Sequence, residues 1–122
     1  MEQSIKQLMT ENGIKVDSAL EFMMGSEKMF FKYLYRFLDD PTFPTLFESL
    51  SQEKKEEARI AAHSLKSITA TLGLEELNSR IKAQELALKE GRWEEGLAME
   101  PSVREEYERI CRVIQEVQDK TQ

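Results

Sequence analysis

The chain has 122 residues, 40% of them hydrophobic and 33% charged, and its formal net charge is −6. These values predict one globular domain over 1–122, and the acidic excess argues against nucleic acid as a partner. One cysteine and one histidine exclude a disulfide framework and the usual structural zinc sites.

Apolar residues recur with helical periodicity along the whole chain, and no stretch alternates like a strand. Residues 1–25 predict one or two short helices that end at Gly25, an N-terminal helical extension beside a core at about 26–119. Ser26 is the predicted N-cap of the next helix, and Asp39-Asp40-Pro41 ends it, because the residue before proline disfavours helical backbone. The apolar stripe of this helix is Met29, Phe30, Tyr33, Leu34, Phe37 and Leu38.

Three longer helices are predicted in the rest of the chain. Ser51 is the expected N-cap of the first, which stops at Gly73. The second ends at Gly91, and the third begins near Pro101, a favoured first-turn residue. The connections are a short helix or linker with Leu46, Phe47 and Leu50, and a segment with Trp93 and Leu97. Short connections between four helices predict an all-α, antiparallel up-down four-helix bundle.

No apolar run approaches the roughly 20 residues of a membrane span. The first residues also lack the charged and then apolar pattern of a signal peptide. We therefore expect a cytoplasmic protein that makes no contact with a membrane.

The only histidine, His63, is predicted on the exposed side of its helix, about 160° from Leu65 at 100° per residue. The buried arc holds Ala58, Ala61, Ala62, Leu65, Ile68, Thr69 and Leu72. Arg59 and Lys66 lie one turn from His63 on either side. Neighbouring cations favour the neutral, nucleophilic imidazole and would stabilise a phosphoryl group attached to it.

The surroundings of His63 are suited to the docking of another protein. Ser67 and Ala70 are small and leave a flat patch, and Ile60 is the exposed aliphatic residue expected at its rim. A histidine kinase would need an ATP-binding domain, for which 122 residues leave no room. A hydrolytic or metal enzyme would need a second histidine or a glycine-rich phosphate loop, and neither is present.

A residue of the following helix is expected beside the imidazole. Equal rise along the two helices that meet near Gly73 places Gln84 or Glu85 level with His63. Either could accept a hydrogen bond from one ring nitrogen and leave the other free to attack. The alternative for Glu85 is a solvated surface charge, whereas a buried Gln84 would need a partner for its amide.

The segment Ala61-Ala62-His63-Ser64-Leu65-Lys66-Ser67, followed by Leu72-Gly73, resembles the signature of histidine-containing phosphotransfer domains. These domains carry phosphoryl groups between receiver domains in multistep two-component phosphorelays. The segments Gly91-Arg92-Trp93-Glu94-Glu95 and Glu106-Tyr107-Glu108-Arg109-Ile110 are also similar to members of this family, and the resemblance covers roughly Val16 to Val117.

The resemblance implies a role for each matching residue. His63 matches the phosphorylated histidine, and Lys66 matches the lysine that contacts the phosphoryl group. Glu85 matches a position that often holds Gln or Glu bonded to the imidazole. The chain departs from the family at Ser67, where glycine is usual.

The resemblance also implies the partners. They are response-regulator receiver domains, with a hybrid histidine kinase as a further candidate. The magnesium ion is expected in the receiver, and this chain is expected to be a monomeric phosphocarrier that binds no cofactor and has no kinase activity of its own. The alternative is a helical adaptor that binds receivers without accepting phosphate.

Overall fold

A computed structural model describes all 122 residues and contains eight α-helices and no β-strand. The helices are α1 (Gln3–Glu11), α2 (Val16–Phe22), α3 (Glu27–Phe37), α4 (Thr42–Ser51), α5 (Lys55–Thr71), α6 (Glu75–Lys89), α7 (Trp93–Ala98) and α8 (Glu100–Thr121). The all-helical class predicted from the periodicity is confirmed. None of these helices combines the length and the hydropathy that a membrane span needs.

The helix that carries His63, α5, is flanked by α4 and α6, and α6 in turn packs against α7 and α8. The residues of α5 that face its neighbours are small: Ala58 and Ala62 are fully buried and Ala61 is 5% exposed. Ile68, predicted within this buried arc, lies at its edge and is half-buried. Small side chains on this face allow both neighbouring helices to approach α5 closely.

The segment predicted as a short helix or linker is the helix α4, and it is a main neighbour of α5. Its Phe43 is 1% exposed and stacks on Tyr107 of α8, with the ring centroids 4.1 Å apart. Through this contact α4 packs on α8 as well as on α5. The four helices α4, α5, α6 and α8 therefore enclose one continuous part of the core.

Two helix starts were predicted from capping residues, and only one of the two predictions is correct. Ser26 caps α3, because its side-chain oxygen accepts a hydrogen bond from the backbone N–H of Met29 at 3.2 Å. Ser51 is not an N-cap: it is the last residue of α4, and α5 begins at Lys55. Buried Leu46 and Leu50 are one turn apart and keep this stretch helical up to the position of the predicted cap.

Residues 1–25, predicted as an extension, contribute to the core itself. Six of their apolar side chains are at most 5% exposed: Ile5, Met9, Ile14, Val16, Ala19 and Met23. The backbone N–H of Lys15 donates to the carbonyl of Gly73 at 2.8 Å, which fixes this segment across the turn between α5 and α6. A Cβ at Gly73 would lie 2.6 Å from the carbonyl oxygen of Lys15, and its φ of +71° also disfavours other residues.

Candidate functional site

His63 lies near the middle of α5, and 62% of its side chain is exposed to solvent. Leu65, two residues further along, is fully buried. The helix therefore presents the imidazole on the side opposite its packed face, as the helical wheel predicts.

Glu85 of α6 lies beside the imidazole, with its Oε1 atom 3.3 Å from Nδ1 of His63. Its side chain is only 7% exposed, so the carboxylate is held by the packing of α6 and is not a free surface charge. An ionised carboxylate can only accept hydrogen bonds, so this contact requires the proton of the neutral ring to be on Nδ1. The lone pair of the other nitrogen, Nε2, is then available to a reactant.

Lys66 contacts the same carboxylate. Its ammonium nitrogen lies 3.6 Å from Oε2 of Glu85, and 35% of the lysine side chain is exposed. Glu85 thus uses one oxygen for the imidazole and the other for the ammonium. The buried carboxylate thus holds the His63 imidazole and the Lys66 ammonium in place. The contacts with these two groups offset the free-energy cost of burying its charge.

The sequence left Gln84 and Glu85 as alternatives for the partner of the imidazole, and the geometry distinguishes them. Gln84 is fully buried, and its amide nitrogen donates to the carbonyl of Gly96 at 2.9 Å. This hydrogen bond joins α6 to α7. Gln84 therefore belongs to the packing of α7, and Glu85 is the residue at the imidazole.

Arg59, predicted as a second cation beside the imidazole, is paired with a different residue. Its Nε atom donates to the carboxylate of Glu56, one turn earlier on α5, at 3.1 Å. This hydrogen bond raises the pKa of Arg59 and lowers that of Glu56. Each of the two cations next to His63 therefore has a carboxylate partner, Glu56 for Arg59 and Glu85 for Lys66.

The three residues predicted as small or apolar surroundings of His63 are all exposed: Ile60, Ser67 and Ala70. Ile60 is 52% exposed and lines a groove of about 290 Å³ between α4 and α5. Ser67 lines a second groove, of about 330 Å³, between α3 and α5. Two shallow depressions therefore adjoin the turns of α5 before and after His63.

Asn78 of α6 also supports this part of α5, although it is not among the site residues predicted from the sequence. Its amide nitrogen donates to the backbone carbonyl of Lys66 at 2.9 Å and to the hydroxyl of Thr69 at 3.1 Å. The one available signal was the low preference of asparagine for the interior of a helix. That preference indicates a side-chain partner without saying which one.

The arrangement provides one chemical capability, that of an accessible nitrogen nucleophile. The Nδ1 side of the ring is anchored, the Nε2 side is open, and an ammonium group lies within the same turn. Comparisons of the chain with protein-family models, with curated proteins and with solved structures found no match.

Proposed function

We propose that this chain is a phosphoryl carrier in which His63 accepts a phosphoryl group from an aspartate of a receiver domain and passes it to another receiver. The observation that carries the proposal is the contact between Nδ1 of His63 and the buried carboxylate of Glu85, on a ring that is 62% exposed. In this proposal the antiparallel up-down four-helix bundle that presents the histidine consists of α4, α5, α6 and α8, with α4 in the place that the sequence assigned to the helix beginning at Ser26.

The transfer step follows from the tautomer. Nε2 of neutral His63 attacks the phosphorus of the aspartyl phosphate, and the Nε2–P bond forms as the bond from phosphorus to the aspartate oxygen breaks. The electron pair of the broken bond leaves on the aspartate, which becomes a free carboxylate. The ring keeps its Nδ1 proton and gains positive charge, and Glu85 lies 3.3 Å from that proton-bearing nitrogen. A fixed negative charge at this position stabilises the charge that develops during attack.

Lys66 would act on the phosphoryl group. Its ammonium is 3.6 Å from Glu85, a contact long enough to be exchanged for a shorter one to a phosphoryl oxygen. When the ring becomes positive, Glu85 pairs with the ring and Lys66 is released toward the dianionic phosphoryl group. The three side chains thus redistribute their contacts without leaving a buried charge unpaired.

The receiver would supply what this chain lacks for the reaction. A magnesium ion held by receiver carboxylates would neutralise charge on the transferring group, so this chain needs only a positioned nucleophile. Reversal of the same step on a second receiver would return His63 to its neutral form. The chain would act as a monomeric intermediate without kinase activity.

The proposal is tested with receiver domains of the source organism, each loaded with radioactive phosphate from labelled acetyl phosphate and incubated with the protein. We expect label on the protein that is lost in acid and kept in alkali, as for a phosphorus–nitrogen bond. Label that persists at the same level in His63→Gln would contradict the proposal.

A binding measurement separates the carrier from the adaptor. The protein would be a helical adaptor if wild type and His63→Gln bind a receiver equally well and wild type takes up no label. Gln115→Glu, at an exposed site on α8, is a control that should leave both binding and labelling unchanged.

A further inference from the structure

The solvent side of α3 carries a stripe of three cations. Lys28, Lys32 and Arg36 are spaced four residues apart, which places them along one side of the helix, and all three are exposed. None of them has a carboxylate oxygen within 4.0 Å. An uncompensated basic stripe is unexpected on a chain whose net charge is −6.

Exposed apolar side chains lie within this basic stripe. Met29 is 43% exposed and Tyr33 is 38% exposed, although the sequence placed both in the buried stripe of α3. The charged groups of Lys32 and Arg36 each lie 5.9 Å from the centroid of the Tyr33 ring. Aromatic residues, Met and Arg are the types enriched where proteins bind one another.

The stripe is continuous with the surroundings of His63. The groove of about 330 Å³ is lined on one side by Tyr33, Arg36 and the acidic Asp40, and on the other side by Ser67 and Thr71 of α5. Ser67 is one helical turn from His63. A protein that covers His63 and this groove would therefore also contact the last turns of α3.

We infer that the α3 stripe of Lys28, Lys32 and Arg36 is a docking surface for the acidic rim of the protein that exchanges phosphoryl groups with His63. The inference rests on the proposed function and adds the chemistry of the partner surface. A partner that holds magnesium at its phosphorylation site does so with carboxylates, and these carboxylates together with the dianionic phosphoryl group outweigh the charge of the ion, so the site is net negative. Opposite charges on the two surfaces accelerate their encounter and align them.

The test compares two charge-reversal variants in transfer from a receiver labelled with acetyl phosphate, under single-turnover conditions. The first variant is Lys32→Glu with Arg36→Glu. The matched control is Arg112→Glu with Lys120→Glu, two exposed cations of α8 that also have no salt-bridge partner. Both double variants change the net charge by the same amount, and circular dichroism establishes that both are folded.

We expect the second-order rate constant of the α3 variant to fall at least about tenfold at 50 mM salt, and to return to within about threefold of wild type at 500 mM salt. The rate at saturating receiver should stay within about twofold, because His63, Glu85 and Lys66 are untouched. The α8 variant should stay within about threefold throughout.

Two results would overturn the inference while leaving the proposed function intact: equal slowing of both variants, or normal transfer by the α3 variant. Loss of self-association by the α3 variant in sedimentation, with unchanged transfer, would instead assign the stripe to a second copy of this acidic chain. Failure of every receiver to label the wild-type protein would contradict the proposed function itself, and this inference with it.

Discussion

Two buried carboxylates, Glu85 of α6 and Glu106 of α8, are bound to cations in different ways. Glu106 is 4% exposed and forms two short hydrogen bonds with the guanidinium of Arg109, at 2.7 and 2.9 Å. Arg109 also donates to the backbone carbonyl of Asn12 at 3.0 Å. The side chain of Glu85 is 7% exposed, and its contacts with His63 and Lys66 are longer, at 3.3 and 3.6 Å.

The difference separates an ion pair that is fixed by its geometry from one that is free to rearrange. Glu106 and Arg109 form a bidentate pair one turn apart on α8, and Arg109 also binds the N-terminal segment. Because this geometry is already favourable, exchange of partners would not strengthen the hydrogen bonds of either residue. The Glu85 contacts join two helices and end on side chains that are 62% and 35% exposed. In the proposed function, this buried charge with long contacts to accessible groups exchanges partners when the phosphoryl group is transferred.

The largest effect on stability is expected at the structural pair. Glu106→Gln removes the charge from a bidentate ion pair and should lower the free energy of unfolding by about 2 kcal/mol. The loss should not be larger, because Arg109 is partly exposed to solvent. Urea denaturation measures the loss. Asp17→Asn, in the exposed pair with Lys6, is the control and should change stability by less than about 1 kcal/mol. If Glu106→Gln protein is folded but takes up phosphoryl groups more slowly, the conclusion that Glu106 has only a structural role would be wrong.

The next largest effect is expected on reactivity at Glu85. Glu85→Leu removes the acceptor at Nδ1 and should slow phosphoryl uptake from phosphoramidate about tenfold, because the ring is then no longer held in one tautomer. Glu85→Gln keeps an acceptor but not the charge and should lose only about threefold. Equal rates for the two variants would mean that Glu85 acts by packing alone.

A smaller effect is expected at Lys66. Lys66→Met keeps the aliphatic stem but removes the ammonium, and should slow uptake about fivefold, whereas Lys66→Arg should retain most of the rate. The same assay with phosphoramidate measures both variants. If Lys66→Met matches wild type, the ammonium serves only to offset the buried charge of Glu85.

The smallest effect is expected at Arg59, which is bound to Glu56 at the surface. Arg59→Gln should change uptake by less than about twofold and leave the midpoint of urea denaturation unchanged, since exposed ion pairs contribute little. A loss as large as that of Lys66→Met would show that Arg59 leaves Glu56 and reaches the phosphoryl group during transfer.

The sequence predicted the features that depend on helical periodicity. Helical rise and rotation predict that His63 is exposed and that residues 84 and 85 of α6 lie at the same height as His63. Helix-capping preferences predict that α5 and α6 end just before Gly73 and Gly91. Periodicity could not decide between Gln84 and Glu85, because it places Gln84 on the apolar face of α6 and Glu85 at the border of that face, and both are level with His63. That choice depends on how α7 packs, with Gly96 close enough to accept a hydrogen bond from Gln84.

Two other features depend on tertiary packing. The α4 segment is short and contains Pro44, so its sequence did not distinguish a linker from a helix that packs against α5. The exposure of Tyr33 depends on where α3 lies relative to α5, and the spacing of apolar residues alone placed it in the core. Neither position could be derived without the contacts between helices.

The site of the phosphorus–nitrogen bond tests the central claim most directly. The protein is labelled with ¹⁵N-histidine, phosphorylated with phosphoramidate and examined by NMR; His63 is the only histidine, so its two ring nitrogens give the only imidazole signals. Because Glu85 holds Nδ1, we expect phosphorus to couple to Nε2 alone. Coupling to Nδ1, or no phosphohistidine at all, would contradict it.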